Sequence, residues 1–177
     1  MQEVTTTAQE NETAEQYRAR LNAYIGDKDP IAIQRESPEL LAQLIRAAPV
    51  EMLSRSPGPG KWSAGAILAH LAEDELVSSW RYRQMIERSG AMLAGFDQDE
   101  WARLGEYNSW QPRESLDLFR LLREANLRML AKLTPEEWQR YGVHAERGRI
   151  TVQDLARHMA GHDLNHIDQL RRLLATP

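Results

Sequence analysis

Apolar residues recur at intervals of three and four along almost the whole chain, a period that a helix satisfies and a strand does not. Towards the C-terminus, Val152, Leu155, Met159, Ile167, Leu170 and Leu173 share one arc of a helix running from Thr151 to about Leu174. Thr151 with Asp154 three residues on has the form of a capping box. Pro112 opens another helix, to about Leu133, with Leu116, Phe119, Leu122 and Leu130 turned inward. A longer one is expected from Ser63, its N-cap, to about Ser89. Tyr17, Leu21 and Tyr24 mark a first helix from Thr13 to Ile25, ended by Gly26-Asp-Lys-Asp-Pro30. A further segment is expected to begin at Ser37-Pro38-Glu39, with Ser37 as cap and Pro38 in the first turn, carrying Leu40, Leu41, Leu44 and Ile45 inward. The breaker Ser54–Gly60 separates it from the long helix.

The remaining stretches read as connections. Leu93 to Trp110 looks partly ordered, anchored by Phe96, Trp101, Tyr107 and Trp110. Thr134-Pro-Glu-Glu137 is a capping box for a short turn, and 142–149 reads as a loop or small hairpin. The expectation is therefore an all-α four-helix bundle with short extra helices in its connections, over residues 13–177. The acidic, polar stretch 1–12 is expected to be a disordered leader.

Composition narrows the chemistry. There is no cysteine, which removes disulfides, thiolate nucleophiles and sulfur-ligated metal, and fits a cytoplasmic location. Any metal would be held by nitrogen and oxygen. A formal net charge of −4 argues against a nucleic-acid partner, and no run of about 18 apolar residues suggests a membrane span. The first residues lack the basic and apolar regions of a secretory signal.

Four of the five histidines draw attention. His158, His162 and His166 recur every four residues on the last helix, and His70 lies on the long one. Residues four apart differ by about 40° in azimuth, so such a pair points one way. On this wheel His166 falls inside the apolar arc and His162 at its edge, while His158 lies outside by roughly 40°. His70 faces the core side, with Asp74 about 40° away. Two readings stay open. Each imidazole can bond a carbonyl or carboxylate, or His70, His162 and His166 can share one divalent cation. Three imidazoles suit zinc, nickel or iron, and a three-ligand site keeps a place for water or substrate.

His158 reads as a positioning or structural residue, and His144, in a loop near glycines, as solvent-exposed. Asp74 can orient the His70 ring, accept a proton as a catalytic base, or simply pair with Arg81. Glu73 is a weaker candidate for an oxygen ligand. Asp163 lies in the apolar arc, where it can anchor an arginine or cap a neighbouring helix, and Trp62 is expected in the core or as a staple before the long helix.

Lys61-Trp62-Ser63, then Ile67-Leu68-Ala69-His70-Leu71, then His162-x-x-x-His166-x-x-Gln169 resembles the DinB-like/YfiT-like superfamily of metalloenzymes over about residues 13–175, and Asp97-Gln-Asp-Glu-Trp101 is similar to a form that its larger branch takes. The resemblance implies an up-down-down-up four-helix bundle, often a homodimer, with a divalent metal on three histidines matching His70, His162 and His166. It also implies a small-molecule substrate, with a low-molecular-weight thiol as partner in those relatives that are S-transferases or isomerases. The expected function is thus a metal-dependent enzyme, a thiol-dependent transferase or a hydrolase acting on a small electrophile. The alternative is a non-catalytic, metal-stabilised dimeric bundle serving as a stress-response or binding module.

Overall fold

The computed structural model describes residues 12–175. The expectation of a disordered leader falls, for residues 1–11, outside the described residues. The chain runs α1 (Ala14–Ile25), α2 (Pro30–Ala47), α3 (Val50–Ser54), α4 (Ala64–Glu87), β1 (Ala91–Leu93), α5 (Gln98–Leu104), a 3-10 turn (Tyr107–Ser109), α6 (Pro112–Leu130), α7 (Pro135–Trp138), β2 (Tyr141–His144), β3 (Gly148–Thr151) and α8 (Val152–Ala175). The long helices α2, α4, α6 and α8 make a four-helix bundle in which α4 packs on α6 and α8, and α2 packs on those same two. Helix α1 lies along α8.

The helix starts follow the capping chemistry of the sequence. Thr13 and Thr134 each form a complete capping box, and the Ser63 hydroxyl accepts the Ala66 N–H. Asp154 reaches back to the Thr151 N–H while the Thr151 hydroxyl accepts the Asp154 N–H.

The second helix departs from expectation. It begins at Pro30, not near Ser37, with the Asp29 side chain accepting the Ile31 N–H. Asp29-Pro30 is itself a cap followed by a first-turn proline, and it outcompetes the later Ser37-Pro38 signal. Pro38 consequently lies inside the helix, where it can offer no N–H to the Gln34 carbonyl. That carbonyl instead accepts from Arg123 Nη1 at 3.0 Å, and the buried Ser37 hydroxyl donates to Ile33 O at 2.8 Å. Tertiary contact thus satisfies the backbone group that the proline leaves open.

The connections hold more order than expected. Residues 141–151, spanning the expected loop 142–149, form the β2–β3 hairpin, and β1 adds to it in parallel, Met92 opposite Val143. This small sheet packs against α4 and α8. It carries His144 and the Ala94–Asp97 segment towards α4, where Arg81 donates to Ala94 O at 2.7 Å.

Apolar clusters occupy two levels of the bundle. One gathers Leu41, Leu68, Leu71, Phe119, Ile167 and Leu170. The other gathers Tyr82, Met85, Leu130, Leu155 and Met159. Between them lies a buried polar layer: His70, Asp74 and Glu75 on α4, Arg123 and Asn126 on α6, and His162, Asp163 and His166 on α8. Arg123 binds Asp163 (2.5 and 3.0 Å) and Glu75 (2.8 Å), and Asn126 donates to Glu75 at 2.7 Å. Alongside, α1 seats closely on α8 because residue 161 is glycine. A Cβ there would sit 2.8 Å from the Leu21 carbonyl oxygen.

Candidate metal centre

His162 and His166 project from one face of α8, one turn apart, towards His70 on α4. All three are at most 4 % exposed. His162 Nε2 lies 3.1 Å from His70 Nε2 and 3.1 Å from His166 Nε2, and one ligand atom from each ring falls within 4.8 Å of the others. Tetrahedral zinc, with bonds of about 2.0–2.1 Å, sets its nitrogens about 3.3–3.4 Å apart, so the spacing matches a shared cation.

With Gln169 Oε1 facing His166, hydrogen bonding leaves one of the two Nε2–Nε2 contacts unsatisfied. His166 Nδ1 lies 2.9 Å from Gln169 Oε1, an acceptor, so Nδ1 carries the proton and Nε2 presents a lone pair. His162 Nε2 can donate to that lone pair only by carrying a hydrogen, and it then has nothing to offer His70 Nε2. Giving it the lone pair instead sets it against that of His166. A single cation accepts all three lone pairs at once, which is the chemistry this donor set fits.

Burial depresses the basicity of each ring. It holds His70 and His162 well below the ordinary histidine value, with their neighbouring imidazoles adding to the effect. It brings His166 down to about 4, despite the opposing bond to Gln169. All three are neutral at pH 7, as ligands must be.

Asp74 does not orient His70. Its Oδ2 lies 3.5 Å from His162 Nδ1, a nitrogen that makes no hydrogen bond, so the carboxylate faces the other helix's ligand. Burial pushes its carboxyl up to about 6, Arg81 opposing. The alternative pairing with Arg81 is absent from the ion pairs among the described residues. Trp62 packs its ring on His70, centroids 4.8 Å apart. Gln169 thus holds the His166 ring, Asp74 lies beside that of His162 without bonding it, and Trp62 backs that of His70.

A cavity of about 440 Å³ opens at the centre, reached by His70, Asp74 and His162 and walled further out by Tyr17, Arg18, Arg81, His144, Arg147 and His158. His158 stays outside the triad: it stacks beside His162 (6.2 Å, 24°) and its Nε2 accepts from Arg147 at 3.1 Å. Glu73 is no oxygen ligand here, since its Oε2 accepts the Tyr107 hydroxyl at 2.5 Å. His144 corrects the expectation of a solvent-exposed loop residue. It is 4 % exposed, because pairing of β2 with β1 tucks it beneath α4 against Arg81.

Sequence reasoning anticipates Asp163 as an arginine anchor but not its partners. The signal exists. Arg123 is seven residues from both Leu116 and Leu130, and Glu75 is seven from both Leu68 and Tyr82, so each charge occupies a core position of its helix.

Residues 34–170 match the family model for the DinB superfamily. A protein of Oceanobacillus iheyensis, provisionally named a metal-dependent hydrolase, is 28% identical over 137 residues, covering 77% of this chain and 78% of the relative. YfiT of Bacillus subtilis, with the same provisional name, is 23% identical over 162 residues, 89% of this chain and 91% of its own. The solved structure of YfiT, a four-helix bundle of unusual topology, superposes with a TM-score of 0.76 at 21% identity, over 94% of this chain and 90% of that one.

Proposed function

The chain belongs to the DinB superfamily, and on that premise we propose that it is a metal-dependent enzyme acting on a small electrophilic substrate, with hydrolysis as its reaction. The observation that carries the reading is the meeting of three buried Nε2 atoms, two of their contacts at 3.1 Å, on histidines whose ligand atoms all lie within 4.8 Å of one another. His70, His162 and His166 would hold a divalent ion: zinc, nickel or iron. Such an ion, when bound, leaves at least one position open and lowers the pKa of water or a thiol there towards neutrality. Gln169 fixes the tautomer of His166, and the Asp74 carboxylate, 3.5 Å from His162 Nδ1, favours a proton on that nitrogen by its charge and so leaves Nε2 as the donor atom. With its carboxyl near 6, Asp74 also takes up a proton readily at neutral pH, the property of a general base beside the substrate. The provisional names of the relatives support hydrolysis.

The cavity favours a second reading, transfer of a low-molecular-weight thiol to the electrophile. Its 440 Å³ extends past the histidines to Tyr17 and Arg147, room for a thiol beside a small electrophile. A homodimer is part of the proposal, supported by the exposed Leu76 and Trp80, one turn apart on α4. No helix among the described residues is long and apolar enough to cross a membrane.

The test is elemental analysis of protein purified without chelator, beside His162→Ala, followed by turnover of activated esters with and without added thiols. Equal metal in both proteins ends the ligand assignment. Turnover that needs a thiol selects transfer over hydrolysis. Metal that raises the melting temperature with no turnover in either assay favours the non-catalytic bundle.

A further inference from the structure

In the wall of the cavity Arg81 and His144 bring together more N–H donors than acceptors. Arg81 is 5 % exposed, and its Nε has no hydrogen-bond partner. Its Nη2 donates to Ala94 O and also lies 3.3 Å from His144 Nε2. The tautomer of His144 decides what that second contact is. His144 Nδ1 accepts the backbone N–H of Glu146, so in the neutral ring the proton sits on Nε2. Nε2–H and the Arg81 guanidinium are then both donors, converging with nothing between them to accept. The opposite tautomer only moves the conflict to the fixed Glu146 N–H.

Asp74 and Glu146 attract Arg81 through space, but neither is in ion-pair contact with it. The cavity wall carries Glu12, Asp74, Asp97, Asp99 and Glu146. Glu12 pairs with Arg20, and Asp97 caps α5. No ion pair among the described residues includes Arg81. Arg18 and Arg147 share the wall and add positive charge.

The geometry points to an oxyanion subsite, formed by the Arg81 guanidinium and His144 Nε2 with Arg147 at its rim, that takes a carboxylate or phosphate group of the substrate. A planar guanidinium edge beside a ring N–H is suited to two oxygens of one anion. The place of the subsite also bears on substrate shape, and this part rests on the metal-centre reading. Arg81 follows His70 by eleven residues, about 16 Å of helical rise, and its side chain leans back towards the helix N-terminus. The anionic group is therefore held in the same cavity as the histidines, nearer to them than that rise. The substrate carries an acidic group a short distance from its electrophilic centre.

The test uses the full chain stripped of metal, so that added anions have no cation to bind. Inorganic phosphate, and acetate in parallel, are titrated while the Arg81 Nε–H resonance of the wild-type protein is followed by NMR. A saturable shift is expected, and the tighter of the two anions identifies which oxyanion the site prefers. Arg81→Gln should weaken phosphate binding by about tenfold or more, the loss of one charge-assisted contact, while the exposed Arg171→Gln should not. A resonance that does not move, or an Arg81→Gln protein that binds phosphate as well as wild type, overturns the subsite. Zinc uptake is measured on the same preparations. Arg81→Gln protein that keeps its zinc but loses phosphate supports the subsite. Wild-type protein that binds phosphate but no zinc supports it too, and removes the metal-centre reading alone.

Discussion

Replacing Arg123 with methionine should destabilise the protein more than any surface change, and the cost follows from the bonds that its guanidinium makes. That group is 1 % exposed and bonds Glu75, Asp163 and the Gln34 carbonyl. Methionine keeps most of the volume but leaves two carboxylates buried together without a cation. Breaking a buried ion pair by removing one partner costs about 3–5 kcal/mol, and the orphaned Gln34 carbonyl adds about 1 kcal/mol or more. A total of about 4–6 kcal/mol is a large part of a typical stability of about 5–15 kcal/mol. With a urea dependence of about 2–3 kcal/mol per molar, the midpoint should fall by about 1.5–3 M. The triple variant Glu75→Gln, Arg123→Met, Asp163→Asn should recover much of this, since no buried charge remains. The pH signature is specific. Carboxylates stranded in the core have folded pKa values above their unfolded ones, so the deficit of the single variant relative to wild type should shrink as the pH falls from 7 through those values. A midpoint shift below about 0.5 M, or a triple variant no better than the single one, would refute the reasoning.

Three further outcomes follow from the same structure. Gln169→Leu removes the acceptor that fixes the His166 tautomer, and should weaken zinc binding about 10–100-fold in a competition with a chromogenic chelator; unchanged affinity would show the bond to be idle. In metal-stripped protein, burial holds His70 and His162 well below, and His166 at about 4 against, an unfolded value of about 6.5, so the unfolded chain binds more protons below 6.5. Stability should fall by up to about 1.4 kcal/mol per pH unit per imidazole as acid is added, Asp74 offsetting about one of them, and urea midpoints that stay flat from pH 7 to 5 would contradict it. Gly161→Ala gains about 1 kcal/mol of helix propensity but drives a methyl against the Leu21 carbonyl at 2.8 Å, so a net loss of about 1–2 kcal/mol is expected in thermal unfolding, and a gain would mean that α1 can shift freely.

The bundle and its ligand geometry are legible in the residues because both are set by local periodicity. An i, i+4 pair on α8 points one way whatever surrounds it, and His70 faces the core by the same rule. The start of α2 is not legible, because two cap-and-proline signals compete within nine residues, and only contact with Arg123 tells which proline can sit inside a helix. The burial of His144 is hidden too, since it depends on β1, about fifty residues earlier, pairing with β2. Asp74 lies on the expected face but serves the ring of His162 and not that of His70, since the wheel of α4 says nothing of how far α8 reaches across it.

By itself, then, the sequence determined the helices, the inward turn of three imidazoles and the want of sulfur ligands, all consequences of residue type and spacing along one element. Which nitrogen meets which acceptor, which proline is tolerated, and which arginine is left unpaired in the cavity were decided by tertiary packing. Those outcomes hinge on a few tenths of an ångström between atoms far apart in the chain, distances that no single helix encodes.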